Sequence, residues 1–396
     1  MKGRVVIGLS GGVDSAVAAH VLMQEGYDVV AIFMRNWHDE SVTINNECPW
    51  IDDSNDAMIA AEHLGIPFQV LDMSTEYKKR IVDYMFREYE AGRTPNPDVL
   101  CNREVKFDLF LKAAVSLKAD HVGTGHYARI ENESINGELV HKLIAAVDKN
   151  KDQSYFLCQL SQQQLSMALF PIGGMTKPEV RAYAQRIGLP NADKKDSQGL
   201  CFIGKVKLPT FLQQQLKPKK GKIVQLTSGT EYFERSRWNG SDDDIELARI
   251  SESHNIDEAS GVVAGEHEGA HYYTIGQRRG LGVGGHVEPL FVAATDTDQN
   301  IIYVVEGENH PALFREALFI KALDVHWLHN GRRLSVGDRI KLQARIRYRQ
   351  PLVACTLVMK DQGLYLIFDE PQRSIAAGQF AAWYDGEELL GSGVIN

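Results

Sequence analysis

A short glycine loop, Ser10-Gly11-Gly12-Val13-Asp14-Ser15, and two cysteines one hundred residues apart, Cys101 and Cys201, are the parts of this chain best able to do chemistry. Gly11 and Gly12 let a backbone approach phosphate oxygens, and a helix starting just after them turns its unpaired N–H groups on the same anion. No Lys-Ser or Lys-Thr follows the glycines, so this is not the Walker loop. Cys101 lies in Thr94-Pro95-Asn96-Pro97-Asp98-Val99-Leu100-Cys101-Asn102, and Cys201 in Ser197-Gln198-Gly199-Leu200-Cys201-Phe202-Ile203-Gly204. Both have small, polar or Gly/Pro neighbours, which suits a reactive thiol better than a core one. Cys48, Cys158 and Cys355 read instead as small buried hydrophobes. A phosphate loop joined to two such thiols points to ATP-driven sulfur transfer.

The elements that must hold these groups alternate. Arg4 to Leu9 reads as a buried strand, Asp14 to Glu25 as a helix capped by Gly26, and Val29 to Phe33 and Phe68 to Leu71 as further strands. Helices are expected over 54–64 and 74–90, the second with Tyr77, Ile81, Met85 and Tyr89 on one face. A helix capped by Asp98 would put Cys101 near its third position, against free N–H groups that lower a thiol pKa. Asp120 to Thr124 is a strand, Thr176-Lys177-Pro178-Glu179 opens a helix with a capping box, and Cys201 falls on a loop. The fold class is α/β, with a doubly wound parallel sheet in front.

The composition shifts around Pro209 to Lys222, and short apolar runs with turn signals begin after Glu288: 290–294, 301–305, 340–348, 352–359 and 364–368. They predict a small antiparallel β-barrel. The division drawn is 1–206, a nucleotide-binding catalytic domain; 207–286, a small central domain with an acidic insertion; and 287–396, the barrel. Arg345, Arg347 and Arg349 alternate, which on a strand puts all three on one face, solvated or turned to phosphates, with Tyr348 opposite.

With 396 residues, 44% hydrophobic and 24% charged, the chain is globular; a net charge of -9 means that a nucleic-acid partner must meet local basic patches. No apolar run approaches the roughly 20 residues of a membrane span, so a cytoplasmic protein without a membrane partner is expected. Five cysteines without Cys-x-x-Cys signal neither a disulfide framework nor a thiolate metal site, and no protein-held metal is expected.

The loop resembles that of the PP-loop ATP pyrophosphatases, which split ATP between the α and β phosphates. Asn96-Pro97-Asp98-x-x-Cys101-Asn102, Thr124-Gly125-His126-Tyr127, Lys151-Asp152-Gln153-Ser154-Tyr155-Phe156-Leu157, Gly199-Leu200-Cys201-Phe202-Ile203-Gly204 and Arg347-Tyr348-Arg349-Gln350-Pro351 together resemble, over nearly the full length, the tRNA-specific 2-thiouridylases. The segment from about 225 to 260 is longer and more acidic than that family's pattern. The resemblance implies ATP contacts at Gly8, Leu9, Ser10, Gly11, Gly12, Val13, Asp14, Ser15, Met34 and Gly125, and target-base contacts at Asn96, Pro97 and Asp98. It implies tRNA contacts at Lys151, Asp152, Gln153, Arg347 and Tyr348, a persulfide on Cys201, and Cys101 as the nucleophile that partners it. Asp98 is a possible general base or only the helix cap. ATP is consumed, with Mg²⁺ expected beside it. The partners implied are tRNA and a persulfide donor, a cysteine desulfurase acting directly or through a sulfur-relay protein. Two rivals remain: a PP-loop amidotransferase or synthetase that moves nitrogen onto an adenylated substrate and needs no cysteines, and a tRNA-binding protein on an inert nucleotide fold.

Overall fold

The structure, a computed structural model, describes residues 2–36, 49–135, 137–195, 208–213, 215–227, 229 and 233–396. The first sheet grows from apolar runs buried on both sides. In β1 (Arg4–Gly8), Val5 and Ile7 pack into one core and Val6 into another. The first core lies under α1 (Val13–Gln24) and α2 (Pro49–Leu64). The second lies under helical residues 74–90 and 97–116, and Cys101 belongs to it. With β2 (Asp28–Arg35), β3 (Phe68–Asp72), β4 (His121–Gly123) and the short β7 (Ala168–Leu169), the all-parallel order is β3-β2-β1-β4-β7. The expected helical face Tyr77, Ile81, Met85 and Tyr89 is buried, although residues Lys78–Val82 wind as a π-turn.

A hairpin, β5 (Ala128–Ile135) with β6 (Glu138–Ala145), leaves this first part of the chain and adds to a sheet built by the last part, where β6 pairs β18 (Glu388–Val394). The expected boundary at 206 therefore follows the chain but not the packing.

Two strand runs assigned in advance to the barrel belong elsewhere. β10 (Leu290–Asp296) and β11 (Ile301–Glu306) complete a four-stranded sheet with β8 (Gly221–Leu226) and β9 (Gly261–His267), in the order β10-β11-β8-β9. The central unit thus runs past 286 to 306. An apolar run announces a strand but not its partner, and β11 finds its parallel partner in β8, far back along the chain. The last sheet, in the order β12-β16-β15-β14-β17-β18-β6-β5, is antiparallel and wraps a core containing Leu318, Leu357, Leu366 and Trp383. Its strands are β12 (Phe314–Lys321), β14 (Arg339–Arg345), β15 (Val353–Lys360), β16 (Gly363–Arg373), β17 (Phe380–Asp385) and β18, with β13 (Val325–Trp327) on β18. β12, β13, β17 and β18 had no counterpart in the sequence reading.

The acidic insertion becomes a strap across the outer face of that sheet. Asp243 caps a helix, Asp244–Ser251, by accepting from Glu246 N–H at 2.9 Å. Leu247 and Ile250 from this helix pack with Val358, Tyr365 and Ile367, the outward residues of β15 and β16. Lys360 pairs Asp244 at 3.2 Å, and the Arg339 guanidinium lies over Trp238 at 5.2 Å. The acidic run is therefore an anchor to basic barrel residues.

Beside the strap a cavity of about 520 Å³ is lined by Arg235, Arg315, Phe233 and His254. Burial, helped by the charge of Arg235, holds the His254 pKa down to about 4 from an ordinary 6.5. Between these values the unfolded chain binds the extra proton, so stability falls as the pH drops from 6.5 toward 4. Urea midpoints measured across this window should fall less for His254→Phe than for the unmodified protein.

Candidate active site

The glycine loop closes through Ser15, whose hydroxyl accepts from Ser10 N–H and donates to the Gly12 carbonyl, both at 3.1 Å. Gly11 has φ +76, and a Cβ there would fall 2.3 Å from the Asp53 carbonyl oxygen. Only glycine fits. Gly12 is the N-cap of α1 and offers no capping side chain, so the first N–H groups of the helix open onto the loop. From the end of β4, Gly125 comes so close that a Cβ would lie 2.7 Å from Ser15 N. A glycine cradle at a helix N-terminus, at the carboxyl ends of parallel strands, fits the phosphates of a nucleotide. Leu9, Val13 and Met34 are core residues, with the Met34 methyl group against Gly8, so what they offer a ligand is backbone.

Asp14 does not face that cradle by itself. Its carboxylate accepts from the Tyr127 hydroxyl at 2.8 Å and from Lys177 Nζ at 2.7 and 2.8 Å. Gln153 fixes Tyr127 in turn by accepting its backbone N–H at 3.0 Å. Lys177 escaped the sequence reading; the capping box marked its helix, but nothing marked its ammonium group as a partner for the loop.

The cysteine segment differs from expectation in its cap. Asn96, not Asp98, is the N-cap, accepting from Val99 N–H at 3.3 Å, and Pro97 is the first helical residue. Cys101 is therefore the fifth residue, past the turn where free N–H groups and the helix dipole act, and it begins a π-helix, Cys101–Leu109. Its relative exposure is 0%. Since Asn96 does the capping, Asp98 is half-buried in the first turn without that duty. The last sheet pins the segment. Gln379 Nε2 donates to Thr94 O at 3.0 Å and Pro95 O at 3.2 Å, and Thr94 N–H donates to Ala377 O at 2.8 Å.

The cysteine helix reaches the nucleotide loop through a residue the sequence reading passed over. Lys106, five residues after Cys101, places Nζ 3.5 Å from His126 Nε2, and His126 Nδ1 lies 2.8 Å from Thr124 Oγ1. Complete burial, with the Lys106 charge as a second cause, drives the His126 pKa well below its ordinary value. The imidazole is neutral and accepts at Nε2, so Nδ1–H donates to Thr124. Gly125 stands between these two residues.

The residues implied for tRNA divide. Asp152 and Arg345 form an ion pair at 2.9 Å with side-chain exposures of 2% and 10%. Asp152 also accepts from Ala146 N–H and Ser154 N–H, so the structure gives it an internal role. β14 ends at Arg345 and the chain turns, so Arg345, Arg347 and Arg349 do not share a strand face: the first is buried, the others exposed. Tyr348 is half-buried against Phe156, with ring centroids 4.3 Å apart. The Phe156 carbonyl accepts from Asn102 at 3.0 Å, which ties Tyr348 to the cysteine segment. Cys158 and Cys355 are buried, and burial pushes both thiols up to about 12. Cys48 and Cys201, with the loop expected around the latter, lie outside the described residues.

Two outcomes follow. Arg345→Ala leaves the Asp152 carboxylate buried without its cation, so denaturant unfolding should show a loss of about 3–5 kcal/mol. Alkylation mapped by mass should label Cys101, Cys158 and Cys355 far more slowly in the native protein than in urea.

Three family models match the chain: "tRNA methyl transferase HUP domain" over residues 3–205, "tRNA methyl transferase PRC-barrel domain" over 247–306 and "Aminomethyltransferase beta-barrel domain" over 318–395. The second ends where β11 ends, in keeping with the four-stranded central sheet. A protein of Flavobacterium johnsoniae named tRNA-specific 2-thiouridylase MnmA is 58% identical, covering 99% of this chain and 100% of its own length. One of the same name from Christiangramia forsetii is 56% identical over the same shares, and one from Halalkalibacterium halodurans is 42% identical, covering 99% of this chain and 94% of its own. Identity of this order from end to end, together with a loop and a cysteine segment that meet at one set of strand ends, makes the chain a member of the tRNA-specific 2-thiouridylase family.

Proposed function

We propose that this protein replaces the 2-oxygen of the wobble uridine of tRNA with sulfur, splitting ATP to AMP and pyrophosphate. The observation that carries the reading is the run of contacts from the cysteine helix through Lys106 and His126 to Gly125 and the loop at Ser15. This run links the thiol-bearing segment to the glycine loop, which supports a reaction between a thiol and a nucleotide-activated group.

The uracil 2-carbonyl is a poor electrophile. Asp98 removes the N3 proton, the 2-oxygen attacks the α-phosphorus, and pyrophosphate leaves. The Lys106 ammonium, 3.5 Å from His126 Nε2, supplies a positive charge beside the β4 turn. A Mg²⁺ brought with ATP would neutralise the leaving pyrophosphate, Asp14 being the carboxylate of the loop itself. The terminal sulfur of a Cys201 persulfide, loaded by a desulfurase directly or through a relay protein, then attacks C2, and AMP leaves with the former 2-oxygen. Cys101 thiolate attacks the Cys201 sulfur of the resulting C2–S–S–Cys201 adduct, which frees 2-thiouridine and leaves a Cys101–Cys201 disulfide for an external dithiol to reduce. If Cys101 instead cleaves the persulfide first, hydrosulfide attacks C2 and the same disulfide remains. Asn96, Pro97, Lys151, Gln153, Arg347 and Tyr348 form the face met by the anticodon arm, with Asp152 holding that face from inside. No helix among the described residues is long and apolar enough to cross a membrane.

With ATP, a desulfurase and unmodified tRNA, mercury-gel retardation should show thiolation by the unmodified protein and a loss of at least about a thousandfold in Cys101→Ser and in Cys201→Ser. Asp98→Asn should lose about 10²- to 10⁴-fold. Thiolation that survives Cys201→Ser removes the persulfide role, and none from the unmodified protein with any donor favours nitrogen transfer.

A further inference from the structure

The cavity beside the strap, about 520 Å³ in volume, holds two guanidinium groups that no carboxylate answers. Arg235 comes from the strap and donates to the carbonyls of Arg249, Glu252 and Ser253 at 2.9, 2.7 and 3.0 Å. Arg315 comes from β12 and donates to Ser251 O at 2.9 Å and Ile375 O at 2.7 Å. Apart from Ile375, the acceptors all belong to residues 249–253, at the end of the strap helix, so the two cations converge on one spot. Among the described residues neither makes an ion pair. Glu316 and Glu370, which also line the cavity, pair with Arg237 at 2.9 and 3.5 Å, and Glu246 pairs with Arg249 at 2.7 Å. Glu234, the remaining acid of the lining, is exposed. His254 donates Nε2–H to Phe314 O at 3.3 Å and, with its pKa held down to about 4, adds no charge at neutral pH.

Magnitudes decide what this arrangement lacks. The end of a helix offers about half a negative charge, which against two guanidiniums leaves about one and a half positive charges uncompensated. Burial and the neighbouring Arg235 hold the Arg315 pKa down to about 10, so a bound anion would relieve it. The rest of the lining is apolar, with Phe233, Ile250, Phe314 and Pro371 facing the same space. A volume of this order suits an organic ligand, whereas a bare inorganic ion, the size of a few waters at about 30 Å³ each, would leave most of it empty.

We propose that this cavity binds a small organic anion, its carboxylate or phosphate on Arg235 and Arg315 and its apolar body against Phe233 and Phe314. The planar fork of a guanidinium matches either oxyanion through paired N–H groups. The strap supplies Arg235 and Phe233, while β12 supplies Arg315 and Phe314, so the ligand clips the insertion to the last sheet. The inference rests on neither the nucleotide reading nor the sulfur chemistry.

The test is calorimetry on the full chain with four probes: phenyl phosphate, benzoate, benzyl alcohol as the ring without a charge, and inorganic phosphate as the head without a body. A non-hydrolysable ATP analogue is present throughout, so that the glycine loop is not the site measured. Phenyl phosphate or benzoate should bind saturably at one site per chain, and the tighter of the two tells a phosphate ester from a carboxylate. Benzyl alcohol and inorganic phosphate should each bind at least about tenfold more weakly, as should the preferred anion to Arg235→Gln, Arg315→Gln and Phe233→Ala. The same anion should raise the melting temperature of the unmodified protein and leave that of Arg235→Gln unmoved. Should Arg315→Gln fail to fold, Arg235→Gln decides. No saturable binding of either anion overturns the inference, and so does benzyl alcohol binding as well as benzoate, which would show an apolar void alone. Inorganic phosphate binding as tightly as phenyl phosphate overturns the organic body, and an affinity unaltered in the arginine variants places the anion elsewhere.

Discussion

The buried ion pair of Asp152 and Arg345 is the constraint on which the geometry of the site depends. A carboxylate and a guanidinium out of water are tolerable only when paired with each other and mostly hydrogen-bonded; of these two side chains, Arg345 Nε alone is buried without a partner. Here Asp152 accepts from Arg345 and from the Ala146 and Ser154 N–H groups, while Arg345 lies over the Tyr384 ring with 4.9 Å to its centroid. Those requirements fix residues 146–154 against the last sheet. From there, the Tyr155 hydroxyl donates to Phe380 O at 3.0 Å, and the Phe156 carbonyl holds Asn102, next to Cys101. Ion-pair geometry set deep between two sheets thus reaches the thiol in a few bonds. It also explains why a hairpin from the first third of the chain pairs into the last sheet: the two ends of the sequence must be fastened together for the site to exist.

At the nucleotide side the constraint is close approach rather than charge. Gly125 comes against Ser15 because it has no Cβ to hold the β4 turn off the loop, and His126 can then follow as a neutral imidazole beside Lys106. An imidazolium beside that ammonium would be repelled and desolvated at once, so the pair carries a single positive charge. Asp14, which the loop motif would place on the ligand, is spoken for by Lys177 and Tyr127. It anchors the helix of Lys177 to the loop.

The parallel sheet, both of its helical layers and the phosphate loop could be read from the chain because each rests on local signals: apolar runs, a glycine pair, a capping box. What could not be read is pairing at a distance. β10 and β11 look like barrel strands, and nothing local says that β8 is waiting. Arg345, Arg347 and Arg349 alternate as on a strand, but β14 stops at the first because Asp152 draws it inward and the chain turns. The cap moved from Asp98 to Asn96 for a local reason that was available: Pro97 suits the first helical position, and the residue before it is the cap. Lys106 and Lys177 were illegible because each gains meaning only from its partner in three dimensions.

The acidic insertion resolves the charge problem. A family that acts on tRNA must present positive potential to a polyanion, yet this chain carries a net charge of -9. Part of that negative charge lies along the strap, where Asp242 and Asp244 face Arg339 and Lys360. Those charges compensate one another on the outer face of the last sheet. Arg347 and Arg349 stay exposed at the turn after β14, with Tyr348 beside the cysteine segment. Beyond about 10 Å of salt water such charges hardly feel one another, so the potential near Tyr348 is set by its own neighbours and not by the sum over the chain. Net charge is therefore a poor guide to where a polyanion could bind. An insertion rich in aspartate costs a distant basic surface little, provided that it is fastened elsewhere, as the strap helix is through Leu247, Ile250 and Lys360.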